Sequence, residues 1–107
     1  MHRFIFVCVS FFGFMPAAHS EENVFARKGD VILTQEELDA AFARIPREQR
    51  LPYIRDGEKV EQLVASLLRT KQVAKAAMDN AYDENPLIRD RMALAAEKEL
   101  ADAWMEH

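Results

Sequence analysis

The chain has 107 residues, and its 14 Lys and Arg against 18 Asp and Glu give a formal net charge of −4. A mildly acidic chain with interspersed signs is a poor match for nucleic acid or anionic lipid, so neither is expected as a partner. The length allows one small domain, in a size range where a single core is only marginally sufficient. Such a chain often needs a partner surface.

The first twenty residues have the three-part plan of a secretory signal peptide. Arg3 supplies a positive charge, residues 4–15 form a short apolar run, and Ala18 and Ser20 are the small residues of a cleavage site. The run is shorter than the roughly 20 residues that a membrane span needs. These features predict a signal peptide over residues 1–20, cleavage after Ser20 and no stable membrane insertion afterwards. An uncleaved anchor is the alternative.

The predicted mature chain runs from Glu21 to His107. It lacks Arg3, so its net charge is 13 − 18 = −5, and it lacks Cys8, the only cysteine. No disulfide and no cysteine-based metal site is therefore expected. His107 is the one histidine left, at a terminus expected to fray, so we predict no metal and no cofactor.

Residues 24–33 place β-branched and aromatic side chains on both sides of Lys28-Gly29-Asp30, which is a turn-forming group. This pattern predicts a short hairpin or a single extended arm. Two isolated strands are marginally stable in water, so the element is expected to lean on the helices.

The first helix is predicted to begin after Thr34. The Thr34 hydroxyl can accept a hydrogen bond from the backbone amide of Glu37, whose carboxylate can reach back to the Thr34 amide, as in a capping box. The apolar face that follows is Leu38, Ala41, Phe42 and Ile45. Pro46 ends the helix, because the residue before a proline is disfavoured in the helical region.

A charged connector and a long helix follow. Residues 47–55 are predicted to form one helical turn, or two interrupted at Pro52, and Asp56 is a predicted N-cap for a helix over residues 58–80. The apolar stripe of this helix, expected at the centre of the core, is Val60, Leu63, Val64, Leu67, Leu68 and Ala74. The charged residues expected on its opposite side are Glu61, Arg69, Lys71 and Lys75.

The last helix is predicted to begin at Asn85 and Pro86, a good N-cap followed by a residue suited to the first helical position. Its apolar positions are Ile88, Met92, Ala95, Ala96, Leu100 and Trp104. The predicted fold class is therefore mainly α: a short N-terminal β element followed by three main helices plus one short helix.

The residue inventory argues against catalysis. Ser66 is the only serine of the mature chain and has no histidine partner in the helical pattern, and Gly29 and Gly57 cannot make a phosphate-binding loop. The acidic pairs are explained by helix starts and solvated faces. The basic residues that cluster around the connector are Arg44, Arg47, Arg50 and Arg55, and the acidic residues expected to offset them are Glu48, Asp56 and Glu58. This pattern predicts a solvated, salt-bridged surface. A contact for an anion or a client peptide is the alternative.

Large apolar side chains are the more informative feature. Most are expected to be core, since stripes at helical spacing usually are. Trp104 and Met105 are harder to bury at the end of the chain, and if exposed they indicate a contact surface for another polypeptide. The candidate peptide-contact residues are Phe42, Tyr53, Tyr82, Met92, Trp104 and Met105.

The order of these pieces resembles the N-terminal segment of SurA-like periplasmic chaperones and of parvulin-type (PpiC-like) peptidyl-prolyl cis-trans isomerases. The stretches that carry the resemblance are LTQEELDAAFARIP, LVASLLRTKQVAKAA and YDENPLIRDRMALAAEKELADAW. Two features depart from that pattern. Ala81 stands where a glycine usually ends the long helix, so Asn80 is expected to supply the left-handed residue. The chain also ends at His107, where the parvulin domain of the family would begin.

The resemblance implies a periplasmic, non-catalytic module that holds unfolded or outer-membrane polypeptides through apolar surface between its helices. Because the isomerase activity belongs to the parvulin domain, no catalytic residue carries over to this chain. The resemblance also implies an open groove or a homodimer. Two alternatives are kept: the truncated N-terminal part of an isomerase, and a subunit that docks to one dedicated protein.

Overall fold

A computed structural model describes residues 23–107, and the predicted signal peptide lies outside this range. The elements, in chain order, are strands β1 (Val24–Lys28) and β2 (Val31–Thr34), helices α1 (Gln35–Ala43), α2 (Arg47–Arg55) and α3 (Gly57–Asp79), a 3₁₀ turn (Tyr82–Glu84) and helix α4 (Pro86–Glu106). The predicted fold class is confirmed: a short two-stranded element precedes the helices, and helix dominates the structure.

The β element is an antiparallel hairpin, which decides between the two predicted alternatives. Lys28 pairs with Val31, so only Gly29 and Asp30 form the turn. Gly29 has a φ of 59°, and a two-residue hairpin turn favours glycine where φ is positive. The register shifts between Val24 and Ala26, which makes Phe25 the extra residue of a β-bulge.

Helix α1 begins as predicted. The Glu37 amide donates to Thr34 Oγ1 at 3.1 Å, and the Thr34 amide donates to Glu37 Oε1 at 3.0 Å, so the capping box is complete. At the other end of the helix, Arg50 Nη2 donates to the carbonyl oxygens of Ala43 and Ile45 at 3.1 and 2.8 Å. Arg50 therefore satisfies backbone acceptors that the end of α1 leaves free.

Helix α2 is continuous through Pro52, and the predicted interruption is wrong. Pro52 is the sixth residue of this helix, so its missing amide removes one hydrogen bond near the middle of a short element. The Asp56 side chain begins α3 as predicted, because it accepts from the amides of Glu58 and Lys59 at 3.1 and 3.3 Å.

The core lies where the hairpin, α1 and α3 meet. Its buried residues are Val31, Leu33, Leu38 and Leu68. Leu63 and Leu67, which were predicted to be core, pack against these residues but are only half-buried. The two strands and α1 cover only part of the α3 stripe, so its outer members stay partly in water.

Lys71 and Lys75 correct the predicted polar side of α3. Both side chains line the same surface as Val31 and Ala74. Lys71 lies seven residues after Val64, and seven residues bring a helix almost back to the same direction. The lysine stems therefore cover apolar surface next to the hairpin, while their ammonium groups bind the carboxylates of Glu37 and Asp79 at its edge.

The end of α3 also differs from expectation. Asn80 has φ −102° and its side-chain amide donates to the Ala76 carbonyl oxygen at 2.8 Å, whereas Ala81 has φ 57° and ψ 25°. The left-handed residue is thus Ala81 itself, because Asn80 caps the helix in an ordinary conformation. The Ala81 amide then donates to the Met78 carbonyl oxygen at 2.9 Å, which closes the helix end.

Two regions follow from this architecture, and we call residues 24–79 the body and helix α4, residues 86–106, the arm. The body contains every buried residue of the described chain, and the arm contains none. The arm therefore lies outside the core of the body.

Candidate protein-binding surface

The arm exposes large apolar side chains along its whole length. Their exposed fractions run from 55% for Met92 to 82% for Met105. The residues are Leu87, Met92, Leu94, Leu100, Trp104 and Met105. The expectation that the stripe of this helix is core is wrong, because no element packs along it and only Ile88 is half-buried.

Met92 and Trp104 belong to one ridge on the arm. They lie twelve residues apart, with Ala96 and Leu100 between them at steps of four. Residues four apart are neighbours on a helix surface and form continuous ridges. At 1.5 Å per residue this Met92 ridge is about 18 Å long. Met92 and Trp104, two of the predicted contact residues, therefore form the ends of the ridge. Leu100 lies between them and was predicted only as part of the apolar stripe.

Met105 lies on a different side of the arm. It follows Trp104 directly, so the two side chains point in directions about 100° apart. Met105 shares its direction with Leu87, eighteen residues earlier, which is five turns of helix. Trp104 and Met105, which were predicted together as a contact surface, therefore lie on two different sides of the arm.

The other three predicted contact residues lie away from the ridge. Phe42 packs half-buried against the core of the body. The hydroxyl of Tyr53 donates to the Lys59 carbonyl oxygen at 3.4 Å, and the Lys59 ammonium lies 5.7 Å from the ring centroid. Tyr82 is exposed in the 3₁₀ turn between body and arm. The six candidates are thus not brought together into one site.

The arm contacts the body through a small cleft beside α1. Arg44 Nη2 lies 3.3 Å from Glu99 Oε1, and both side chains are exposed. The cleft has a volume of about 270 Å³ and is lined by Ala40, Ala43, Arg44, Glu99, Asp102, Ala103 and Glu106. Its mixture of small and charged residues gives weak attachment, because exposed ion pairs contribute roughly 0–1 kcal/mol.

The arginine cluster around the connector is divided among different partners. Arg44 pairs with the arm, and Arg50 binds backbone carbonyls at the end of α1. Within residues 23–107, none of the ion pairs involves the acidic residues that were expected to offset the cluster. Asp56, one of them, is instead the N-cap of α3.

Electrostatics inside the body centre on Glu37. Lys71 Nζ donates to Glu37 Oε2 at 2.6 Å, which joins α3 to the start of α1. The Lys71 ammonium, followed by the Thr34 amide, holds the pKa of Glu37 below its ordinary value, and burial opposes this only in part. The Glu37 carboxylate is thus charged at neutral pH, and it forms a structural contact that stabilises the start of α1.

A second apolar surface lies between β1 and α3. It is a notch of about 350 Å³ lined by Phe25, Arg27, Lys28, Val60, Glu61, Val64, Ala65 and Leu68. Sequence reasoning missed Phe25 as a surface residue, since the bulge that re-aims it depends on strand pairing. The sequence does contain one indication that Phe25 lies at the surface. It is a large apolar residue on a strand of only five residues, which is too short to cover it on both sides.

Among residues 23–107, no helix combines the length and the apolar composition that a membrane crossing requires. The same part of the chain contains no cluster of three or more His, Cys, Asp or Glu residues arranged to hold a metal ion. Comparison of the chain with protein-family models, curated proteins and solved structures found no match.

Proposed function

We propose that this protein is a periplasmic, non-catalytic chaperone-like module that binds unfolded exported polypeptides through its arm. The observation that carries the proposal is the Met92 ridge, which holds Met92, Leu100 and Trp104 in solvent on a helix without a buried residue. Exposed contiguous apolar surface of this kind marks interaction sites. Methionine adds side-chain flexibility that suits varied partners.

The chemistry of the ridge fits an unfolded chain better than a small ligand. The ridge is convex and about 18 Å long, whereas small-molecule sites are concave and bury most of their ligand. An amphipathic helix also offers apolar contacts in successive turns, so a client with apolar residues at varied spacing finds partners along it. Exported polypeptides that await folding present such residues.

The direct test measures aggregation of an unfolded outer-membrane protein. The protein is diluted from urea into buffer with and without a few-fold molar excess of the purified chain, and light scattering is recorded. The proposal predicts suppressed scattering. Unchanged scattering, with the chain shown to be helical by circular dichroism, contradicts the proposal and favours a subunit that docks to one dedicated partner.

A pair of variants assigns the activity to the ridge. Leu100→Ser combined with Trp104→Ser removes its two most exposed apolar groups, and we expect suppression to be lost while helicity stays near that of the parent chain. The matched control is Leu51→Ser combined with Val73→Ser, two exposed apolar residues of the body. Equal loss in both variants would mean that general surface hydrophobicity, and not the ridge, holds the client.

A further inference from the structure

A second apolar row follows the arm on another side. Leu87, Leu94 and Ala101 recur every seven residues, and Met105 lies directly in line with Leu87. Seven residues complete nearly two turns, so this Leu87 row drifts by only about 20° per repeat. It points roughly 120° to 160° away from Glu99, the residue that contacts the body. The row is thus free of the body and separate from the Met92 ridge.

Charges of opposite sign flank the two leucines of this row. Asp90 and Glu97 follow them by three residues, and Arg91 and Lys98 follow them by four. On a helix these offsets lie on opposite sides of the starting residue, at about −60° and +40°. One flank of the row is therefore acidic and the other is basic, at the same two heights.

We propose that a second copy of this chain covers the Leu87 row, in a dimer whose two arms run parallel about a two-fold axis. In such a pair each flank faces the opposite flank of its partner, so acidic side chains meet basic ones at both heights. In an antiparallel pair each flank faces its own copy, and like charges meet. The charges of two copies are therefore complementary only when the two arms run parallel.

Unpaired charge on the arm supports this occupant. Within the described residues, Asp90, Arg91 and Glu97 take part in none of the ion pairs, and Lys98 pairs with Asp102 one turn further along the same helix. A client of varied sequence has no fixed charges to match this pattern. A second copy matches it by symmetry.

The exposure of the row also suits a second copy. Leu87, Leu94 and Met105 are 68%, 66% and 82% exposed, so a facing row would remove three large apolar side chains of each chain from water.

Sedimentation equilibrium of the purified chain, expressed from its full sequence, tests the dimer. We expect a monomer–dimer equilibrium and a dissociation constant raised at least about 30-fold by Leu94→Glu. The matched control is Leu100→Glu, which changes a residue of similar exposure on the other side of the arm and leaves the equilibrium unchanged. A monomeric parent chain, or a dimer insensitive to Leu94→Glu, overturns the proposal.

Crosslinking tests the orientation. Facing helices with axes 8–10 Å apart bring equivalent Cα atoms to roughly 5 Å, which suits a disulfide. In a Cys8→Ser background, Leu94→Cys is expected to form a disulfide-linked dimer under mild oxidation. Crosslinking only between Leu87→Cys and Met105→Cys chains, with none at Leu94→Cys, shows an antiparallel pair and overturns the proposal.

Charge reversal gives a second measure of orientation. Glu97→Lys places like charges on facing flanks and should weaken the dimer, and adding Lys98→Glu should restore it, because the flanks become complementary again. Failure of the double variant to recover contradicts the parallel arrangement. The dimer does not rest on the proposed function: Leu94→Glu should still suppress client aggregation, whereas Leu100→Ser with Trp104→Ser should still dimerise.

Discussion

The body and the arm are built from similar sequence patterns and end in opposite environments. Both α3 and α4 carry apolar residues at helical spacing, yet Leu68 of α3 is buried and every residue of α4 lies in contact with water. The difference is the hairpin and α1, which pack on α3 and have no counterpart on the arm. An amphipathic stripe therefore specifies a face that can be buried, and the neighbouring elements decide whether it is.

The largest predicted effect is in the core. Leu33 is 1% exposed, so Leu33→Ala should lower the free energy of unfolding by about 2–5 kcal/mol through lost transfer energy and a cavity. The matched change on the arm, Leu100→Ala, should alter it by less than about 0.5 kcal/mol. Urea denaturation followed by circular dichroism compares the two. Similar losses would show that the arm belongs to the same cooperative unit.

A smaller effect is predicted for the charged contact of the body. Glu37→Gln should lower the free energy of unfolding by at most about 1 kcal/mol at neutral pH, because the contact is partly exposed. Since the pKa of Glu37 is lowered in the folded state, its contribution is present above the unfolded pKa and is lost as pH falls through the folded pKa. The difference between parent and variant should therefore begin to shrink as pH falls through the unfolded pKa of about 4.3, and it should vanish below the lowered pKa of the folded state.

The control for this pH dependence is Glu36→Gln. It removes the same charge from the same helical turn, but Glu36 makes no ion pair among the described residues. Urea titrations at several pH values should show the pH-dependent difference for Glu37 only. A deficit of Glu37→Gln that persists unchanged at acidic pH would exclude the ionised carboxylate as its source.

Substitutions at the junction between body and arm should change stability by a still smaller amount, and the direction of the change tests the backbone conformation there. Ala81 is left-handed, which costs a residue with a Cβ roughly 1–2 kcal/mol. Ala81→Gly removes that cost but adds freedom to the unfolded chain, so the net gain should be about 0.5 kcal/mol. Ala81→Val should act in the opposite direction, and thermal melts of the pair give the sign. Equal stability of both variants would mean that the junction is not left-handed in solution.

The smallest effect is expected where arm meets body. Glu99→Gln should change the free energy of unfolding by no more than about 0.5 kcal/mol, because both partners of the Arg44 contact are exposed. The measurement is urea denaturation at low salt, where surface pairs are strongest. A loss above about 1 kcal/mol would place the cleft among the contacts that hold the fold together.

Local interactions made much of the fold predictable. Thr34 with Glu37, and Asn85 with Pro86, define helix starts within a few residues, and those starts lie where the sequence placed them. The β-bulge at Phe25 and the position of Lys71 beside the hairpin depend on partners distant in sequence. The position of Lys71 could have been predicted, because it lies seven residues after Val64 and so on nearly the same side of α3. Its charge instead suggested the polar side of the helix.

The candidate surface was less predictable than the fold. Size and position near the terminus indicate exposure of Trp104 and Met105, and both are exposed. Their adjacency in sequence suggests one patch, whereas helix geometry places them on two sides. Phe42 and Tyr53 are also large, but they lie half-buried in the body. Exposure depends on which elements pack together, and periodicity within one helix does not contain that information.

The bulge at Phe25 has a consequence for self-association. A two-stranded sheet leaves the outer edge of each strand open, and open edges template pairing with other chains. Bulges distort an edge, and charged side chains such as Arg27 and Lys28 discourage a neighbouring strand. The hairpin thus combines two protections against β-aggregation on the strand that borders the apolar notch. The bulge and the two basic residues therefore make β1 a poor template for pairing with a strand of another chain.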